Sequence, residues 1–169
     1  NTLDSIIWMA EGRKYEEVVL MTASLARLLR QSISNEDEVV PLAREVEYAK
    51  GYLTIQKMRY KDKLEFEIDV EPSILNIPLI KLVLQPIIEN AIYHGLKYKE
   101  SKGLLQVKGF MKDGNAVLQV IDNGVGMDEE TLSHIYDKHK VNYHSNGVGV
   151  YNVQKRLKLY YGENYGITY

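Results

Sequence analysis

Val117-Leu118-Gln119-Val120-Ile121-Asp122-Asn123-Gly124-Val125-Gly126-Met127 is the stretch around which the rest of the chain is organised. Its first five residues carry the β-branched and apolar bias of a strand. An ionised Asp directly after a strand only accepts hydrogen bonds, so Asp122 can receive one from an exocyclic amine. The two glycines let the backbone turn sharply and come close to a ligand. A plain strand-ending turn also fits, because Asn-Gly is a common turn signal. A calcium loop is excluded, since its third and fifth positions here are Gly124 and Gly126 instead of oxygen ligands.

Working backward, Leu105 to Phe110 reads as a second strand, joined to the first by a turn at Asp113-Gly114-Asn115. Leu64, Phe66, Ile68 and Val70 alternate with acidic residues, the pattern of a half-buried strand. Between them Ile80 to His94 is expected to be one apolar helix kinked at Pro86. That helix ends in Glu89-Asn90-Ala91-Ile92-Tyr93-His94-Gly95. The Asn90 amide oxygen is a hard ligand of the kind that holds Mg²⁺ beside phosphates. The same segment also reads as an ordinary helix end, capped by Gly95 with His94 favourable to the dipole.

Working forward, Glu129 to Tyr136 is expected as a short helix, and Lys138 to Asn146 is polar without any period. Asn146-Gly147-Val148-Gly149-Val150-Tyr151-Asn152-Val153 then opens a helix that runs to Tyr161. Free amides at a helix start, with two glycines, make a site suited to phosphate. A dinucleotide fingerprint is excluded, because its third glycine position is Asn152 and no strand precedes it. Tyr165 to Tyr169 reads as a strand. Upstream of Leu64 the signal is helical. Leu3, Ile6, Ile7 and Ala10 precede a break at Glu11-Gly12-Arg13-Lys14, and Val18, Met21, Leu25 and Leu28 continue the seam. Pro41 is expected to open a second stripe of Leu42, Val46, Ala49, Leu53 and Gln56. Such a helical hairpin cannot enclose a core, so it is expected to pair with a second copy as half of a four-helix bundle.

Composition narrows the function classes. The 169 residues carry a formal net charge of −2, with 45% apolar and 26% charged residues. That balance is globular, and near neutrality disfavours broad phosphate-backbone binding to nucleic acid. The absence of Cys excludes disulfide frameworks, thiolate zinc sites and Cys nucleophiles. No apolar run reaches the roughly 18 residues of a membrane span. The expected class is a soluble intracellular piece of something longer.

An Asn-bearing helix, Asp-x-Gly-x-Gly after a strand, and Gly-x-Gly before a helix, in that order, resemble the nucleotide-binding domain shared by histidine kinases, Hsp90, type II topoisomerases and mismatch-repair ATPases. The chain is most similar to the LytS/YesM-type sensor histidine kinases. The residues that carry this likeness are Asn1-Thr2-Leu3-Asp4-Ser5-Ile6, Leu28-Leu29-Arg30, Tyr52 to Arg59, Leu84 to Gly95, Asn152 to Leu157 and Tyr161 to Ile167. The resemblance implies an α+β fold. A helical dimerisation hairpin over 1–60 would precede an α/β-sandwich ATP-binding domain over 61–169 with a mixed sheet, its C-terminal strands incomplete.

The resemblance also implies the site. Asn90 would hold Mg²⁺, Asp122 would recognise the adenine amino group, and Gly124 and Gly126 would shape the adenine pocket. His94 would belong to the nucleotide-binding set, and Gly147 and Gly149 would line the phosphates beneath a lid at 138–146. Glu89 matches the general base of the related ATPases. Tyr93 stands where many histidine kinases carry a phosphate-contacting Lys, with Lys97 and Lys99 the nearest substitutes in sequence. The phosphoacceptor His would lie just before Asn1, so none of His94, His134, His139 and His144 is assigned that role.

The reaction implied is transfer of the γ-phosphoryl of MgATP to that His, then to an Asp of a response regulator. The implied setting is a homodimer on the cytoplasmic side of a bacterial inner membrane, without nucleic acid. An ATPase or serine kinase on the same fold, and a non-catalytic nucleotide-binding module, are the alternatives.

Overall fold

The computed structural model describes residues 2–33, 38–97, 99, 101–129, 132 and 147–169. Helix α1 (Thr2–Glu11) and helix α2 (Tyr15–Ile33) are separated where the sequence breaks. Arg13 takes a left-handed φ of 56°, and the amides of Gly12 and Lys14 turn back onto Trp8 and Met9. Glu16 and Glu17 then open α2 with the charge that a helix N-terminus favours.

Strand β1 (Val39–Pro41) leads into helix α3 (Leu42–Tyr60), so Pro41 precedes the helix instead of being its first residue. Leu42, Ala49, Leu53 and Gln56 of the expected stripe are buried, joined by Glu45, Tyr52 and Ile55. Strand β2 (Leu64–Val70) follows, and strand β3 (Pro78–Ile80) pairs antiparallel with β1. Neither three-residue strand was legible in the sequence.

Helix α4 (Leu84–Asn90) corrects the expected helix from Ile80. Ile80 belongs to β3, and Pro86 is the third helical residue, where its missing N–H interrupts no bond of the helix. The distortion lies further on. Ala91–Leu96 widens into a π-turn, closed by the Lys97 amide donating to the Ile92 carbonyl.

Strand β4 (Gly103–Lys112) and strand β5 (Asn115–Asp122) form a hairpin around Asp113 and Gly114, both at positive φ as a two-residue primed turn requires. The sheet is mixed, in the order β2-β4-β5, with β2 parallel to β4 and β4 antiparallel to β5. Alternate β4 residues Leu105 and Val107 are fully buried against α3 and α4, in one core with Ala49, Leu53, Leu64, Leu84, Ile88 and Ile92. Thus α3, expected with the helical hairpin, shares its core with the sheet. A second cluster of Ile80, Val83 and Val153 seats helix α5 (Gly147–Tyr161) against the β1–β3 pair.

Residues 165–169 are irregular instead of the expected strand: the Ile167 amide donates to the Gln154 side chain and the Tyr165 hydroxyl meets Asn115, which leaves no strand ladder there. The expected helix at 129–136 and the polar segment 138–146 lie, apart from Glu129 and Leu132, outside the described residues. Among the described residues no helix is long and apolar enough to cross a membrane.

Candidate nucleotide-binding site

Asp122 is the last residue of β5, paired across the hairpin with Leu105. Its Oδ1 accepts the Gly124 amide at 2.8 Å, a local turn that fixes the carboxylate. Asn123 stitches the loop to the next strand, its Oδ1 accepting the Leu104 amide at 2.8 Å and its own amide donating to the Leu104 carbonyl at 3.2 Å. Lys99 donates to the Asn123 carbonyl. Gly126 takes φ +74°, a conformation that side chains rarely adopt.

The π-turn meets this loop. The Val125 amide donates to the Gly95 carbonyl at 3.1 Å. A Cβ on Gly124 would stand 2.3–2.5 Å from the Gly95 backbone, and a Cβ on Gly95 would stand 2.5 Å from Asp122 Oδ1. Gly95 is therefore no left-handed cap, as the sequence allowed. It lies inside the π-turn, and its bare Cα permits close approach.

The other glycine motif meets the same helix at its opposite end. Gly149, in the first turn of α5, would bring a Cβ to 3.2 Å from the Pro86 Cβ. So α4 and its π extension touch the Gly-x-Gly motif at Pro86 and the Asp-x-Gly motif at Gly95, with Glu89 and Asn90 between. Gly147 opens α5, whose first amides are the unsatisfied donors of a helix start. Glu89 is half-buried and accepts from Gln85 Nε2 at 3.0 Å, and Asn90 is half-buried at the end of α4. His94 is exposed.

Of the two lysines expected near Tyr93, Lys97 stands 5.9 Å from the Tyr93 ring centroid, whereas Lys99 is held by the Asp-x-Gly loop. His134, His139 and His144 lie outside the described residues. Two supporting residues escaped the sequence reading. Glu45 is buried, and its carboxylate accepts the amides of Leu82, Val83 and Leu84 at 2.8, 2.8 and 3.1 Å, capping α4 from α3. Tyr52 is buried near Glu89; burial first, and then the Glu89 charge, pushes its phenol far above the usual range. The signal for Tyr52 was its place in the Tyr52–Arg59 motif, while a Glu one turn into a helix carries no sign of burial.

A cavity of about 880 Å³ lies elsewhere, between β5 and α5. Val83, Ile87, Val117, Leu157 and Tyr161 line it, and Asp122 reaches it. Among the described residues no Lys or Arg lines it to answer phosphate charge.

A mixed sheet under helices, with an Asn helix wedged between two glycine motifs, defines a nucleotide-binding fold class. The family of histidine kinase-, DNA gyrase B-, and HSP90-like ATPases matches residues 76–167, more than half of the chain, and the histidine kinase family matches residues 1–64. The chain belongs to this ATPase family, and its nucleotide is ATP. It is 32% identical over 99% of its length to the sensor histidine kinase YesM of Bacillus subtilis, and 34% identical over 83% to the sensor protein LytS of Oceanobacillus iheyensis. It spans about a quarter of each, 28% and 24%. Its fold is similar to a histidine kinase domain of a blue-light activated kinase from Erythrobacter litoralis (TM-score 0.51, 14% identity), covering 93% of this chain and 65% of that one.

Proposed function

We propose that this chain is the ATP-binding and helical portion of a two-component sensor histidine kinase. The observation that carries the reading is the convergence of both glycine motifs on the helix bearing Glu89 and Asn90. Asp122 accepts the adenine amine, Gly124 and Gly126 shape the pocket beside it, and the start of α5 at Gly147 and Gly149 faces the phosphates. Asn90 supplies a hard oxygen to Mg²⁺, which neutralises phosphate charge when bound. His94, exposed on the π-turn, completes the nucleotide-binding set, and Glu89 orients the reacting groups.

The γ-phosphoryl leaves the β-phosphate as a bond forms to an imidazole nitrogen, with ADP departing; a response-regulator Asp then takes the phosphoryl. Positioning and charge neutralisation dominate such transfers. The acceptor is a His outside residues 1–169, on the segment leading into Asn1.

Residues 1–60 supply the helical dimerisation part and 61–169 the ATP-binding part, with α3 serving both. Support for pairing comes from the apolar surface of α1 and α2, where Leu3, Ile7, Trp8, Tyr15 and Val19 are all more than half exposed. The parent protein is membrane-anchored, with this portion on the cytoplasmic side.

Calorimetric titration tests the site. MgATP should bind and MgGTP should bind far more weakly, since guanine presents a carbonyl in place of the amine. Asp122→Ala should weaken ATP binding by about 1.5–3 kcal/mol, the range for a hydrogen bond to a charged group. Equal affinity for the two nucleotides would refute the assignment. A longer chain that includes the acceptor segment should gain acid-labile, alkali-stable label from γ-labelled ATP.

A further inference from the structure

Any side chain at position 95 would meet the Asp122 carboxylate. The three atoms nearest to a Cβ built on Gly95 all belong to the Asp122 side chain: Oδ1 at 2.5 Å, Cγ at 3.0 Å and Oδ2 at 3.4 Å. Gly95 is itself buried, so the carboxylate stands directly on its Cα. The π-turn makes this possible. The Gly95 carbonyl stands at the end of the turn, where carbonyls lack intrahelical donors, and accepts the Val125 amide, so that Gly124 lies on the Gly95 backbone. The Gly124 amide then takes Oδ1, while Oδ2 carries no hydrogen bond among the described residues.

We infer that Gly95 is a positioning residue for base recognition: its bare Cα is the seat of the Asp122 carboxylate, leaving Oδ2 as the acceptor for the exocyclic amine of adenine. This rests on the adenine-site reading above and deepens it. A side chain at 95 displaces the carboxylate, the group nearest to it, so its effect on base recognition passes through Asp122. Two consequences distinguish that from a general weakening of the fold. Loss of affinity falls on ATP and spares GTP, and removal of the carboxylate relieves the collision.

The test is a cycle of four proteins: wild type, Gly95→Ala, Asp122→Ala and the double variant. Each is titrated with MgATP and MgGTP and melted by circular dichroism. Gly95→Ala should lose ATP affinity on the order of tenfold or more, as expected when a hydrogen bond to a charged group is misaligned. Its ATP-over-GTP preference should fall towards one. The double variant should bind ATP no worse than Asp122→Ala and melt at a higher temperature than Gly95→Ala. If Gly95→Ala does not fold at all, recovery of folding in the double variant supports the direct contact, and its failure overturns it. A Gly95→Ala protein that keeps the wild-type preference overturns the role of Gly95 alone. So does a double variant in which the two losses add. A wild-type protein that binds no adenine nucleotide overturns the proposed function together with this role.

Discussion

Replacing Glu45 by Ala should be among the most costly single changes in the ATP-binding part. Its carboxylate receives three backbone amides at 2.8–3.1 Å, two of them buried, at the point where the chain enters α4. Leu82 there holds a left-handed φ of 59°. No side chain of the α4 N-terminus caps it locally, so Glu45 acts from α3. Alanine leaves two buried donors without an acceptor, at about 1–3 kcal/mol each, and adds a small cavity. The expected loss is about 3–5 kcal/mol, a large part of the roughly 5–15 kcal/mol that keeps a typical domain folded.

A buried ion pair can be replaced by packed apolar residues at little cost, because both partners are removed. Here the donors are backbone and remain, so Glu45→Leu should rescue little. Glu45→Gln retains one acceptor oxygen but turns an amide NH₂ towards an amide donor, so it should cost about 1–3 kcal/mol. Urea denaturation followed by circular dichroism, extrapolated linearly to water, measures all three. A Glu45→Ala protein within about 1 kcal/mol of wild type would show that the amides find other acceptors, and the reasoning would fail.

Two further outcomes follow from the site and its support. Asn90→Ala should reduce ATP affinity in Mg²⁺ on the order of 10–100-fold, the effect of losing one contact to a charged group, and change it little in EDTA; equal losses under both conditions would make Asn90 structural only. Tyr52 ionises at higher pH folded than unfolded, because burial and then the Glu89 charge oppose the phenolate. Its contribution is therefore complete below about pH 10 and erodes as pH rises beyond it, so Tyr52→Phe should flatten the alkaline fall in stability; an unchanged slope would exclude Tyr52 as its source.

The parts legible in the sequence are those whose cause is local. Asp113-Gly114 needs only its own two φ angles to join β4 to β5, and Arg13 beside Gly12 breaks the first helix just as locally. The order of the three polar motifs was enough to identify the nucleotide-binding fold. What escaped depends on partners distant in the chain. Val39–Pro41 becomes a strand because Pro78–Ile80 lies beside it, and three residues hold no period to read. Glu45 looks like a solvent-facing helix residue until Leu82, Val83 and Leu84 arrive with their amides. Gly95 reads as a helix cap because its need for glycine comes from Asp122 and Gly124, which stand more than twenty residues later.

The π-turn at Ala91–Leu96 makes this stretch intolerant of length change. Ordinary helices in loosely packed surroundings absorb a lost residue at one end. Here a residue gained or lost without a compensating change of pitch would rotate all that follows by roughly 100°. The carbonyl that meets Val125 would swing off its donor, and a residue with a Cβ would arrive beneath Asp122. Engineered libraries should therefore hold the length of 91–94 fixed and leave Ala91 and Ile92, which are buried in the core, unvaried.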